Sequence, residues 1–176
     1  MDKDIFHKFL KQNIKKSIIP NKKKILITGS NGFIGKYLVY ALIDVFKEHN
    51  NFIYGIDINK NLKKSKNYKY FQKDLTRLNR KLIPNIKYDY IIHLAGIPSP
   101  VYYKRYPLKT IYLNSELSRE LLEISKKNKS KFIYFSSSEI YGNPPKHKIP
   151  TDENFNGNVS SIGDRSCYDE SKRMGE

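Results

Sequence analysis

Cysteine is nearly absent from this chain. One thiol, Cys167, among 176 residues excludes an internal disulfide and a cysteine-rich metal site, and nothing marks an oxidising compartment. Long apolar runs are missing as well. No stretch nears the roughly 20 residues a membrane-spanning helix needs, and the first residues lack the uninterrupted apolar core of a signal peptide. The expectation is a cytoplasmic protein without a membrane partner. Acidic residues are scarce, 17 against 33 lysines and arginines, for a formal net charge of +16. That balance raises nucleic acid as a partner. The lysines, however, are scattered, and the one tight run, Lys22 to Lys24, merely leads into a strand. The expected effect of the charge is a field favouring a small anionic substrate, with no nucleic-acid partner.

What is present is an alternation of strand and helix signals within a length that suits one domain. "DIFHKFLKQNIKKSII" places Ile5, Phe6, Phe9, Leu10, Ile14 and Ile18 at nearly helical spacing, an amphipathic extension over residues 1–20. From residue 21 onward the short apolar runs Lys24–Thr28, Asn51–Asp57, Tyr68–Gln72, Tyr88–Ala95 and Lys131–Ser138 read as strands. Helical segments are predicted from Phe33 to about Glu48 and from Pro107 to about Asn128, Pro107 suiting a first helical turn. Strands alternating with helices predict an α/β fold with a doubly wound parallel sheet. The connection from Tyr141 to Ser166, rich in Pro, Gly and Asn, is long enough to be functional or disordered.

Two places carry chemistry. Gly29, Gly32 and Gly35 in "TGSNGFIG" lie between a predicted strand and helix, where glycines permit a tight turn and close approach to a pyrophosphate, and the helix start offers free N–H groups. Asp57 closes the next strand 22 residues on, placed to accept from ribose hydroxyls. A carboxylate there repels a 2'-phosphate, so NAD is the expected cofactor rather than NADP. Near the end, "SCYDESKRMGE" sets Tyr168 and Lys172 four apart, on one helical face. No His, Cys or carboxylate cluster suggests a metal. His93 reads as a satisfied strand-end histidine and Cys167 as a packing residue.

The spacing Gly29-x-x-Gly32-x-x-Gly35 is similar to that of the extended short-chain dehydrogenase/reductases. "HLAGIPSP", "PLKTIYLN", "SSSEIYGNP" and "GNVSSIGDRSCYDESKR" resemble the UDP-glucuronate decarboxylase branch of the NAD-dependent epimerase/dehydratase family, over a match running from about Lys24 to the last residue. The resemblance implies a Rossmann-type fold, bound NAD and a UDP-sugar substrate. It also implies a catalytic set of Ser137, Tyr168 and Lys172 with Glu139 as a further group. Ser137 is the member of its serine triplet that stands four residues before Tyr141 of "EIYG". It implies cofactor contacts from Gly29, Asn31, Gly32, Phe33, Ile34, Gly35, Asp57, Asp74, Leu75, Leu94, Ala95, Gly96 and Asn114, as well as from Tyr168 and Lys172, and a substrate-facing Tyr103. Asp74 alone reads equally as a turn residue, and Asn114 as a surface polar.

The implied chemistry is a redox cycle: oxidation at C4, loss of carbon dioxide from the β-keto acid, and return of hydride. A tyrosine with its ordinary pKa near 10 is a poor base at neutral pH. A lysine ammonium one turn away and the nicotinamide's positive charge would lower it. Three features depart from the pattern. Asp164 and Ser166 flank Arg165 where the branch has Pro and Ala. Ser138 precedes Glu139 where 4,6-dehydratases carry an acid, which weakens dehydration but leaves a 4-epimerase open. Finally, family members continue into a C-terminal substrate region that this chain lacks. A catalytically silent NAD-binding fragment, needing a complementing chain, is therefore the alternative to an enzyme. The resemblance further implies a homodimer built from the Pro107 and Tyr168 helices.

Overall fold

Five short apolar runs assemble into one parallel sheet in the order β3-β2-β1-β4-β5. The computed structural model describes residues 3–14, 19–61, 63–76 and 82–176. The strands are β1 (Lys24–Thr28), β2 (Phe52–Asp57), β3 (Tyr68–Gln72), β4 (Tyr90–His93) and β5 (Lys131–Tyr134). The central pair is buried on both faces: Ile25, Leu26 and Ile27 of β1 and Ile53 and Ile56 of β2 are at most 2% exposed. Continuous β-branched runs belong in a parallel sheet covered on both sides, and each such side chain contributes roughly 1.5–3 kcal/mol on burial. The register pairs Thr28 with both Ile56 and His93, and Asp57 with Gln72. The carboxyl ends of β1, β2 and β4 thus form one row, the edge at which open α/β sheets bind ligands. This is the doubly wound, Rossmann-like sheet expected from the alternation.

The helices are α1 (Lys3–Asn13), α2 (Phe33–Tyr40), α3 (Pro100–Arg105), α4 (Pro107–Asn114), α5 (Glu116–Asn128) and α6 (Ser166–Gly175). Among the described residues none is long and apolar enough to cross a membrane. The expected continuous helix from Phe33 to Glu48 is instead α2, a π-helical stretch Ala41–Val45 and a 3-10 turn Lys47–His49. Ala41, Leu42, Ile43, Val45 and Phe46 are all buried, so this stretch is apolar around most of its circumference and needs cover on more than one side. Part of that cover is α1, whose Leu10, with Phe6, packs on Ala41, Val45 and Phe46. The predicted amphipathic extension therefore docks on the chain itself; Ile5 and Phe9 on its other face are exposed, and Ile18 lies outside the described residues. Replacing Leu10 by alanine should destabilise the protein by about 2 kcal/mol, with the loss of protection confined to α1 in hydrogen exchange. Unchanged exchange in α1 would contradict that docking.

The chain divides into two compact units, residues 1–95 with 123–133, and residues 96–122 with 134–176. In the second, the predicted long helix breaks at Ser115 into α4 and α5. Two hydroxyls turn back onto the backbone there, Ser115 to the Ile111 carbonyl at 2.6 Å and Ser118 to that of Asn114 at 2.7 Å, a pattern that bends helices. Pro107 opens α4 as expected, whereas α3 was not anticipated. The connection after Tyr141 holds together by backbone bonds between Asn143, Tyr141 and Asn158. Arg173 of α6 adds bonds to the carbonyls of Ile140 and Asn156 at 2.8 and 2.9 Å.

Candidate active site

In the first unit the glycine turn leaves β1 directly. Gly29 has a φ of +69°, and a Cβ on it would lie 2.7 Å from the Ala95 nitrogen after β4. Gly35, on the first turn of α2, presses against the Gly29 carbonyl and lies where a Cβ would be 2.9 Å from Ser30 Cα. Two segments of bare backbone thus meet where side chains would separate them. Gly32 caps α2 without a side-chain bond, which leaves the helix start with backbone donors and a positive dipole end. Phe33 and Ile34 are exposed beside it.

Asp57 ends β2 only 7% exposed. Its oxygens accept from the Asn31 N–H at 3.0 Å and the Asn59 N–H at 2.9 Å. The carboxylate therefore fastens the glycine turn to the end of β2, and a carboxylate retains lone pairs for further donors. Asn31 also reaches the Lys60 carbonyl at 2.9 Å. Asp74 closes a local turn, accepting from the Thr76 N–H and hydroxyl at 3.0 and 2.7 Å, with Leu75 buried beside it. Leu94 and Ala95 follow β4 and donate to the Thr28 carbonyl and hydroxyl. His93, fully buried, bonds Thr28 Oγ1 at 2.7 Å, the satisfied strand-end histidine its sequence position suggested.

The second unit holds the other expected residues. Tyr168 and Lys172 are both buried on α6, 7% and 8% exposed. Lys172 Nζ donates to the Phe135 carbonyl at 2.7 Å and sits 4.7 Å from the centre of the Tyr134 ring. Burial pushes this ammonium from 10.5 down to about 8, against a smaller opposing pull from Glu176. The carbonyl and the ring also favour the charged form. Ser137 is partly buried between exposed Ser136 and Ser138. It caps the 3-10 turn Ser138–Tyr141 by accepting the Glu139 N–H at 3.3 Å. Glu139 in turn pairs with Arg165.

Tyr103, expected to face substrate, is 2% exposed and stacks on Tyr168, with centroids 5.2 Å apart and planes 16° apart. Tyr103 is the one buried residue of α3 and makes a platform for the Tyr168 ring. Asn114, expected along the cofactor, is fully buried; its Nδ2 donates to Ser171 Oγ at 3.0 Å while Oδ1 has no partner. A Cβ on Gly96 would stand 3.4 Å from that oxygen. Cys167 Sγ lies 3.7 Å from the Tyr103 carbonyl, and burial pushes its thiol up, the inert state of a packing cysteine. Sequence reasoning missed Ser171, the Phe135 carbonyl and the Tyr134 ring. Only the triplet "ESK" hinted at the first, and nothing local at the others.

A parallel sheet with a glycine turn after its first strand and an acid closing its second defines a dinucleotide-binding fold. A tyrosine and a lysine one turn apart lie on a buried helical face of the second unit. The chain belongs to the NAD dependent epimerase/dehydratase family, whose profile matches residues 25–176. It is 39% identical over 157 residues to UDP-glucuronic acid decarboxylase 5 of Arabidopsis thaliana, covering 87% of this chain and 44% of that protein. To UDP-glucuronic acid decarboxylase 1 of Danio rerio it is 33% identical, covering 89% of this chain and 37% of that protein. A solved UDP-N-acetylglucosamine 4-epimerase from Methanobrevibacter ruminantium superposes with a TM-score of 0.70 at 29% identity, over 89% of this chain and 49% of the other. The chain thus spans less than half the length of these relatives.

Proposed function

We propose that this chain carries the cofactor-binding and acid–base residues of an NAD-dependent nucleotide-sugar enzyme that converts UDP-glucuronate to UDP-xylose through a 4-keto sugar. The observation that carries the reading is the buried Tyr168–Lys172 face of α6. Its lysine donates to a carbonyl and lies over a ring, and burial lowers its proton affinity against a smaller pull from Glu176. Burying a lysine in this way costs stability and is a mark of function. The 39% identity to a decarboxylase supports the particular reaction.

The residues of the first unit fit NAD. The bare glycine turn admits a pyrophosphate, the uncapped start of α2 donates to it, and Asp57 accepts from the ribose hydroxyls while repelling a 2'-phosphate. When bound, NAD would supply the reversible hydride acceptor for carbon 4 of the sugar. Tyr168 accepts the proton of the 4-hydroxyl and later gives it back. Lys172 supplies the positive charge that favours the tyrosinate, and Tyr103 keeps the ring in its plane. Ser137 holds the reacting oxygen while carbon dioxide departs, the bonding pair enters the ketone as an enolate, and carbon 5 then takes a proton from water. A homodimer through α4–α6 belongs to the same proposal, and Leu108, Ile111 and Met174 are exposed on these helices.

The test is incubation of the purified chain with NAD and UDP-glucuronate, followed by mass spectrometry and chromatography. UDP-xylose and carbon dioxide are expected. The likeness to a 4-epimerase structure favours one second reading, under which a UDP-uronate of unchanged mass but new retention time would form. Bound NAD with neither product would leave the chain as a cofactor-binding fragment only.

A further inference from the structure

Three charged side chains beside Tyr168 form a connected chain that the redox steps do not require. Arg165 stands at the start of α6. Its Nη2 donates to Glu139 Oε2, and its Nε lies 3.5 Å from Asp169 Oδ2. Asp169 is the residue after Tyr168 and only 7% exposed, and its other oxygen, Oδ1, is buried with no hydrogen-bond partner. We propose that Arg165 is the positioning residue of this centre, its guanidinium tying the Glu139 carboxylate to Asp169 on the catalytic helix and thereby fixing Glu139 relative to Tyr168. The proposal rests on the reading of Glu139 and Tyr168 as acid–base groups.

The geometry suits positioning better than stability. Arg165 and Glu139 keep 52% and 38% of their side-chain surface exposed, and ion pairs in such surroundings stabilise little. Asp169, by contrast, is anchored inside, where burial pushes its carboxyl up and Arg165 pulls it back. A guanidinium presents donors in a rigid fork and can serve two carboxylates at fixed angles, which an ammonium does not. Three other cations of this unit are engaged elsewhere. Lys104 pairs with Asp164 at 2.9 Å, Arg173 donates to Ile140 and Asn156 and lies 3.9 Å from Glu170, and Lys172 donates to Phe135. One guanidinium between two carboxylates leaves the cluster anionic, so Glu139 is held without being neutralised.

The experiment is a carboxyl-carbon NMR titration of the full chain as wild type, Arg165→Gln and Arg165→Lys, paired with kinetics on NAD and UDP-glucuronate. In Arg165→Gln the titrations of Glu139 and Asp169 should move to higher pH while Glu170 stays in place, and Arg165→Lys should recover part of the shift. The melting temperature should change by only a few degrees. Turnover should fall on the order of tenfold to a hundredfold at nearly constant KM, with the acid limb of the kcat profile displaced upward. A Glu139 titration identical in wild type and Arg165→Gln overturns the proposal. So does a shifted titration accompanied by unchanged kcat and pH profile in an active protein. Should the wild type neither bind NAD nor turn over, the function proposed above fails, and the titration still decides whether Arg165 holds Glu139.

Discussion

Replacing Lys172 by methionine is expected to lower turnover on the order of a thousandfold and to change how stability responds to pH. The ammonium is pushed from 10.5 to about 8 by burial. Between those two values the unfolded chain binds a proton that the folded chain has released, so wild-type stability gains with rising pH across the window. The gain is complete above the unfolded value and is lost as pH falls through the folded one. Relative to Lys172→Met, which has no such proton, the wild type should gain about 2 kcal/mol between about pH 7 and about pH 9.5. Urea denaturation of both proteins at the two pH values measures it. Because only the difference between them is used, titrations of groups remote from Lys172 cancel. A parallel pH dependence of the two proteins would mean that Lys172 is solvated, and the argument from its burial would collapse with it.

Gly35→Ala should remove NAD binding altogether and cost roughly 2–4 kcal/mol of stability. The new methyl group would collide with the Gly29 carbonyl and crowd Ser30 Cα. Neither atom can rotate away, since both belong to the backbone that joins β1 to α2. The turn must therefore open, and opening displaces Asn31, whose N–H holds Asp57. Isothermal titration with NAD and a urea melt read the two effects separately. If the variant binds NAD with wild-type affinity, the turn is not the pyrophosphate site.

The glycine turn, Asp57 and the five strands were legible because each rests on local rules: apolar β-branched runs, glycines at a strand–helix junction, an acid at a strand end. Within the serine triplet only the family resemblance, through the spacing to Tyr141, singles out Ser137, which is half-buried between two exposed serines. What could not be read depends on partners distant in sequence. The break at Ser115 comes from hydroxyls bonding back to carbonyls, a choice that apolar periodicity does not register. The stacking of Tyr103 on Tyr168 depends on α3, a helix of six residues whose position no local pattern announces. Arg165 stood out only as a departure from its branch at its two neighbours. Its link to Glu139 joins positions 26 residues apart, and no window along the chain contains that contact as a pattern.

The stacked rings of Tyr103 and Tyr168 also have an optical consequence. The chain has 14 tyrosines and no tryptophan, so its near-ultraviolet spectrum is tyrosine absorption without an overlapping indole band. Two phenol chromophores 5.2 Å apart and nearly parallel lie close enough for their transition dipoles to couple. Circular dichroism in that band therefore includes a contribution from the mutual orientation of the Tyr103 and Tyr168 rings, beside those of the Tyr54–Tyr88 and Tyr68–Tyr70 pairs.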